Sequence, residues 1–156
     1  MSNLDQLAER IMSTIPLTRH LGFQLLEHQP GELILSAPLA PNTNDKGTFF
    51  AGSQATLLTL GGWALSTLEG ESLVSTVDVV AAESHLRYLA PLSGDARIQI
   101  LATADDRTVF ARRLQRRGRA RLAITATLHG PDGILASRFE AQYLVRDLAP
   151  DADVID

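Results

Sequence analysis

The sequence predicts an α+β fold in which an antiparallel sheet wraps around one long central helix. Two observations carry that expectation. Between Pro41 and Glu69 a polar, turn-rich loop runs into a segment that is apolar almost all round. Around it lie short runs of alternating or β-prone residues, punctuated by turn residues, with no helical pattern between the later ones. A helix with no polar face has to be covered, and a sheet with one apolar face has to cover something, so the economical packing puts one around the other.

Taken in order, Leu4, Leu7, Ala8, Ile11, Met12 and Ile15 recur at helical spacing and predict an amphipathic helix over 1–15, stopped at Pro16. GFQLLEH from Gly22, a Pro30-Gly31 turn and ELILSAPL, in which Leu33, Leu35, Ala37 and Leu39 alternate with more polar neighbours, predict a hairpin. Asn42, Asn44, Asp45 and Gly47 favour turns, which makes Pro41 to Gly47 a loop. The central helix is expected over Ser53 to Leu68, with Ser53 as its N-cap and Gly70 closing it. It falls short of the ~20 apolar residues a bilayer requires and is interrupted by Gln54, Thr56, Thr59, Ser66 and Thr67. Gly61 and Gly62 in its middle each cost roughly 1 kcal/mol against alanine, so close packing on the sheet is expected to compensate.

Five strands are then predicted: Val74 to Leu89, Ala96 to Thr103, Thr108 to Gln115, Ala120 to His129 and Ile134 to Val145. They are separated by Ser93-Gly94-Asp95, Asp105-Asp106, Gly118 and Gly130-Pro131-Asp132-Gly133, and such short turns make antiparallel neighbours. The acidic stretch 147–156 is expected to fray. The whole, 1–156, reads as a single domain with the hotdog architecture, and the edges of so small a sheet favour pairing into a homodimer or higher homo-oligomer.

Composition removes several classes of function. At 156 residues and 45% apolar the chain can bury a substantial core. Fourteen Lys and Arg against eighteen Asp and Glu leave a net charge of −4, which argues against nucleic-acid binding. The absence of cysteine excludes disulfides, thiolate metal sites and a cysteine nucleophile. Asp5 and Glu9 break up any signal-peptide pattern, so a cytoplasmic protein without membrane attachment is expected. His20, His28, His85 and His129 lack the spacing of a helical zinc pair, and neither a metal nor a cofactor is expected. No Gly-x-Ser-x-Gly elbow occurs, and no lysine precedes Ser53 to make Gly47 to Ser53 a phosphate loop.

With this element order, NTNDKGTFFAGSQATLLTLGGWAL and HLRYLAPLSGD resemble the hotdog thioesterase superfamily, and within it the YiiD C-terminal-type thioesterases, from Ile15 to Val145. Related acyl-CoA thioesterases carry Asn-x-x-Gly-x-x-His-Gly-Gly before the helix and an acidic residue inside it. Here Asn44, Gly47 and Gly52 match, Phe50-Ala51 replace the histidine and first glycine, and Thr59 stands where those relatives place the catalytic acid. The resemblance implies hydrolysis of an acyl-CoA or acyl-carrier-protein thioester; a non-catalytic acyl- or CoA-binding module is the alternative.

Thioester hydrolysis needs a donor for the carbonyl oxygen and a means of activating water. The amides near Ala51, Gly52 and Ser53 at the helix N-terminus can supply the first, with Asn44 adding a side-chain donor unless it is an ordinary turn residue. For the second, Asp45 can orient water if its loop folds over the cleft. Thr59 can hold a water but not take its proton, and Glu83 and His85, two apart on a strand, can form an acid/base pair or a solvated face. Arg112, Arg113, Arg116, Arg117, Arg119 and Arg121 crowd what reads as two strands and their turn. They form either a charged hairpin edge or a patch for coenzyme A phosphates or an acidic carrier protein.

Overall fold

The computed structural model describes residues 1–149. Two short strands, β1 (Gln24–Gln29) and β2 (Glu32–Ala37), form the expected hairpin, and four more follow: β3 (Val77–Tyr88), β4 (Ala96–Leu101), β5 (Arg119–His129) and β6 (Leu135–Asp147). They make one six-stranded antiparallel sheet in the order β1-β2-β4-β5-β6-β3. Three helices complete the fold: α1 (Asn3–Thr14), α2 (Ala51–Glu71) and α3 (Ala104–Arg117). The sheet curls around α2, which packs against β2, β3, β4, β5 and β6, in the hotdog arrangement. The expected fraying of 147–156 falls, from residue 150 onward, outside the described residues; Asp147 itself ends β6.

α1 begins with a capping box, Ser2 accepting from the Asp5 amide at 3.1 Å and Asp5 accepting from the Ser2 amide, and it docks through Leu7 and Ile11. Pro16 does end it, and a 3-10 turn over Pro16–His20 carries the chain back to the sheet. At the Pro30-Gly31 turn Gly31 has φ +79°, and a Cβ there would lie 2.7 Å from the Ala102 carbonyl oxygen. Only glycine suits both the angle and the approach.

α2 is longer than the sequence suggests, 21 residues, because it starts at Ala51 and runs on to Glu71. Ser53 is therefore not its cap: the N-cap is Phe50, which makes no side-chain capping bond, and Ser53 lies in the first turn. Gly70 is helical and does not close α2, whose C-cap is Ser72. The sheet-facing stripe is Gln54, Leu57, Leu58, Gly61, Gly62 and Leu65, all buried. The paired glycines are explained there. A Cβ on Gly61 would lie 2.6 Å from Ile100 Cδ1, and one on Gly62 2.5 Å from the ring of Tyr143. Tyr143 is buried, its hydroxyl donates to the Thr59 carbonyl at 2.8 Å, and burial pushes its phenol well above the ordinary range, so it remains a neutral donor. Helix and sheet thus meet in direct contact, with dispersion replacing the lost helix propensity.

One predicted strand is a helix. Thr108 to Gln115 lies inside α3, and Asp105-Asp106 is its first turn rather than a hairpin turn. Thr103 caps it by accepting from the Asp106 amide at 3.1 Å, Phe110 and Leu114 are buried one turn apart, Arg116 and Arg117 sit at the negative end of the dipole, and Gly118 closes it at φ +73°. Four strands, not five, follow α2. β4 and β5 remain antiparallel neighbours although a helix joins them, and β3 crosses to the far edge beside β6.

The most buried charge is Glu69, near the C-terminus of α2. One carboxylate oxygen accepts the buried Gly31 amide at 2.6 Å and the other pairs with Arg107 Nε at 3.0 Å. This single side chain joins α2, the β1–β2 turn and α3.

Candidate active site

The loop from Thr43 to Phe49 folds back on itself. Thr43 bridges Phe49, the Asn44 amide donates to the Thr48 carbonyl at 2.8 Å, and Gly47 turns the chain at φ +76°. Asn44 organises this turn with its side chain: Oδ1 accepts the amides of Lys46 at 2.9 Å and Thr48 at 3.0 Å, and Nδ2 donates to Thr48 Oγ1 at 2.8 Å. One N–H of its carboxamide is left over. Asp45, at the tip, is exposed and paired with Lys46 Nζ at 3.1 Å.

Two residues that the sequence reading passed over anchor the loop. Asn42 is 3% exposed, and its Nδ2 donates to the carbonyls of Leu21 at 2.9 Å and Pro38 at 2.8 Å, while its own carbonyl accepts the Phe50 amide at 2.7 Å. It ties the 3-10 turn, the exit of β2 and the N-cap of α2 together. Gln54, also buried, accepts from Ser137 Oγ at 2.6 Å and donates to the Phe49 carbonyl at 3.3 Å, pinning the first turn of α2 to β6. A glutamine on an otherwise apolar stripe is the sign that was available in the sequence, since a buried carboxamide implies a partner. Asn42→Ala is expected to cost about 1–3 kcal/mol, because the buried Leu21 carbonyl and the partly buried Pro38 carbonyl lose their donor. Urea unfolding checks this, and a loss under about 0.5 kcal/mol would contradict the anchoring role.

This framework presents the start of α2 to solvent. The Phe50 amide is bonded to Asn42 and the Gln54 amide to the Phe50 carbonyl, but among the described residues no acceptor faces the amides of Ala51, Gly52 and Ser53. Ala51 is exposed, and Gly52 and Ser53 are half-buried. Three free N–H groups at the positive end of a helix some 30 Å long favour an anion or a developing negative charge. Phe50 folds its ring over Gly52, where a Cβ would collide with ring atom Cε2. Tyr88, at the end of β3, donates its hydroxyl to the Ala51 carbonyl at 3.1 Å and so stands beside the same turn.

The other candidate residues are spread over the molecule. Tyr88, Leu86 and Ser84 pair with the buried Ser137, Phe139 and Ala141 and share the sheet's inner face. Glu83 and His85 pair with Gln142 and Glu140 and lie on the outer face, away from the α2 amides. Thr59 is exposed on the side of α2 turned away from the sheet. Arg112, Arg113, Arg116 and Arg117 form one exposed face of α3, and Arg119 follows on β5. Arg107, in the first turn of α3, meets Glu69, about 27 Å along α2 from Ala51. Within one chain the arginines and the free amides are at opposite ends. Among the described residues no group of three His, Asp or Glu side chains could hold a metal, and no helix is long and apolar enough to cross a membrane.

A family model described as "Putative thioesterase (yiiD_Cterm)" matches residues 4–147. The chain belongs to the YiiD_C thioesterase family. Solved relatives agree with that placement. A protein from Shewanella oneidensis, described as a "putative thioesterase", is 35% identical, with a TM-score of 0.82 over 90% of this chain and 95% of that one. A Pseudomonas aeruginosa protein described as a "probable thioesterase" is 26% identical, with a TM-score of 0.78 over 94% of this chain and 97% of that one. A Haemophilus influenzae thioesterase, 14% identical with a TM-score of 0.75 over 97% of this chain and 96% of that one, shares the fold. The loop-to-helix segment lies wholly inside the matched residues.

Proposed function

We propose that this YiiD_C protein hydrolyses an acyl-CoA or acyl-carrier-protein thioester at the N-terminus of α2, as a homodimer. One observation carries the reading: three partnerless amides at Ala51, Gly52 and Ser53, held in place by Asn42 and Gln54. Water adds to the thioester carbonyl carbon and gives up a proton to solvent, the amides take the charge that gathers on the carbonyl oxygen, and collapse breaks the C–S bond to give a carboxylic acid and a thiolate; the acid's proton passes to the thiolate, leaving a carboxylate and a thiol. Asn44 shapes the loop and has one N–H to spare for the same oxygen.

The dimer follows from the free edge of β3. From Val80 to Tyr88 the strand is exposed except for half-buried Leu86, and its outer edge has no partner among the described residues. β3 runs from Val77, beside Gly70 near the end of α2, to Tyr88, beside Ala51 at its start. Antiparallel pairing of two copies of β3 would therefore bring α3 of the second copy to the end where the first copy has its free amides. That arrangement makes the arginine face of α3 a site for coenzyme A phosphates or for an acidic carrier protein.

A second reading, an acyl-binding module without turnover, is favoured by Thr59, which puts a hydroxyl where active relatives of the superfamily carry a carboxylate. Thiol release from a series of acyl-CoAs separates the two. Turnover supports the hydrolase; saturable shifts in melting temperature without thiol release support the binder. Thr59 is exposed, so Thr59→Asp needs no buried charge and should fold. Thr59 lies about 12 Å along α2 from Ala51, so the introduced carboxylate would reach a water on the thioester only from the partner subunit; on that arrangement acetyl-CoA hydrolysis is expected to rise about tenfold or more, below the 10²–10⁴ of a tuned general base. A folded Thr59→Asp protein no faster than its parent would show that more than a carboxylate is missing.

A further inference from the structure

The face of α2 turned away from the sheet is as apolar as the buried one. Ala55, Thr56, Thr59, Leu60 and Trp63 form one stripe at spacings of one, three and four, and Gly52 lies one turn before it. Ile15, Leu17 and Thr18, around the Pro16–His20 turn, stand up beside this stripe and make it a groove of about 380 Å³ with no charged side chain in its lining. Ile15 and Leu17 remain exposed. At the far end Trp63 is fixed from two sides: its Nε1 donates to the Val79 carbonyl at 3.2 Å, and the Arg10 guanidinium lies 5.9 Å from its ring centre, itself held by Glu71 at 2.8 Å. On the opposite side of α2 there is no comparable space, because Ile100 and Tyr143 press onto Gly61 and Gly62.

We infer that this groove holds the acyl chain of the substrate, that the substrates are medium-length unbranched aliphatic thioesters, and that Trp63 sets the upper limit of length. The inference rests on the reading of the α2 N-terminus as the thioester site. Three observations select this occupant. The groove begins at Ala55, one helical turn beyond Gly52 and its free amide, so a carbonyl held at Gly52 leaves its chain lying along the stripe. Its volume is that of a small-molecule site, and its eight lining residues fall well short of the twenty to thirty on each side of a stable protein interface. Its lining offers apolar surface and hydroxyls only, which suits methylene groups and no charged or strongly polar ligand. From Ala55 to Trp63 the helix rises about 12 Å, room for roughly eight to ten carbons of an extended chain.

The test pairs kinetics with a binding measurement that needs no turnover. The ratio of kcat/KM for decanoyl-CoA to that for butyryl-CoA is measured beside the affinity of decanoic acid, read by titration calorimetry, for the wild type, Ala55→Phe and Thr59→Phe. Wild type is expected to favour decanoyl-CoA at least about tenfold, from the extra methylenes removed from water. Either phenylalanine should bring the ratio near one and weaken the fatty-acid probe about tenfold or more. Trp63→Ala should move the optimum to dodecanoyl-CoA or longer. Thr59 is exposed, so Thr59→Phe remains a usable block if Ala55→Phe folds poorly. Hydrolysis with an unchanged ratio and unchanged probe affinity in both folded variants overturns the groove assignment and leaves the thioesterase reading standing. Probe binding that the phenylalanines abolish, in a protein that hydrolyses none of the thioesters, keeps the groove and removes the hydrolase. A change in sedimentation alone, with ratio and probe affinity intact, assigns the face to a second copy and overturns the inference.

Discussion

Glu69→Ala is expected to lower the free energy of unfolding by about 2–4 kcal/mol. The carboxylate is 5% exposed and serves two partners, the buried Gly31 amide and the Arg107 guanidinium. Alanine leaves the Gly31 N–H buried without an acceptor, which alone costs about 1–3 kcal/mol. Arg107 loses its partner as well, but its side chain is 31% exposed and can turn to water, so the full cost of an orphaned buried charge is not expected. Glu69→Gln keeps the shape and an acceptor for Gly31 and should recover more than half of the loss. Urea denaturation with a common slope reads both variants. A change under about 0.5 kcal/mol for Glu69→Ala would mean that water replaces the carboxylate at Gly31. Because Glu69 is about 27 Å from Ala51 along α2, the folded fraction of either variant should keep its affinity for a thioester.

The enclosing sheet and the central helix were legible in the sequence because their signals are long and redundant. The run from Ala55 to Leu68 is too apolar for a surface helix, and strands β5 and β6 alternate over many residues. Boundaries were less legible. Ser53 has the chemistry of a cap, yet the Phe50 amide is taken by the Asn42 carbonyl and Phe50, in extended conformation, is the N-cap, so α2 begins at Ala51, two residues earlier. The misread helix is the more instructive case. Thr108 to Gln115 contains a threonine, a valine and a phenylalanine that favour strands, but Thr103, Asp105-Asp106, the Phe110–Leu114 spacing and Gly118 together spell a helix with both ends marked. End signals outweigh the propensity of a short middle.

Site chemistry was legible only where it depends on the local chain. The free amides follow from where a helix starts, and Asn44 sits in the turn its neighbours announce. Asn42, Gln54, Ser137 and Tyr88 act through partners far away in sequence, such as the 83 residues between Gln54 and Ser137, which no local pattern records. The side of the strand on which Glu83 and His85 lie depends on the irregular register between Ala81 and Glu83, and a bulge exchanges the two faces without leaving a trace in composition. The open stripe on α2 was hidden for the opposite reason. Apolar residues all round predict burial, whereas the fold covers one side with the sheet and leaves the other open as a groove.

The central claim, that the free amides at the start of α2 bind the charge that develops on a thioester, is tested most directly by removing one of them and nothing else. Ala51→Pro does this. Ala51 is the first residue of α2, where proline is accepted because no helical bond uses that N–H, and Phe50, at φ −60° and ψ 132°, already has the conformation required before a proline. Ala51 is also the most exposed of the three residues with a free amide. On the best acyl-CoA substrate, kcat is expected to fall about 10²–10³-fold, the loss of roughly 2.7–4 kcal/mol usual for one such donor, while KM and the melting temperature stay close to those of the parent. A folded Ala51→Pro protein with undiminished kcat would contradict the assignment of the α2 N-terminus as the catalytic site.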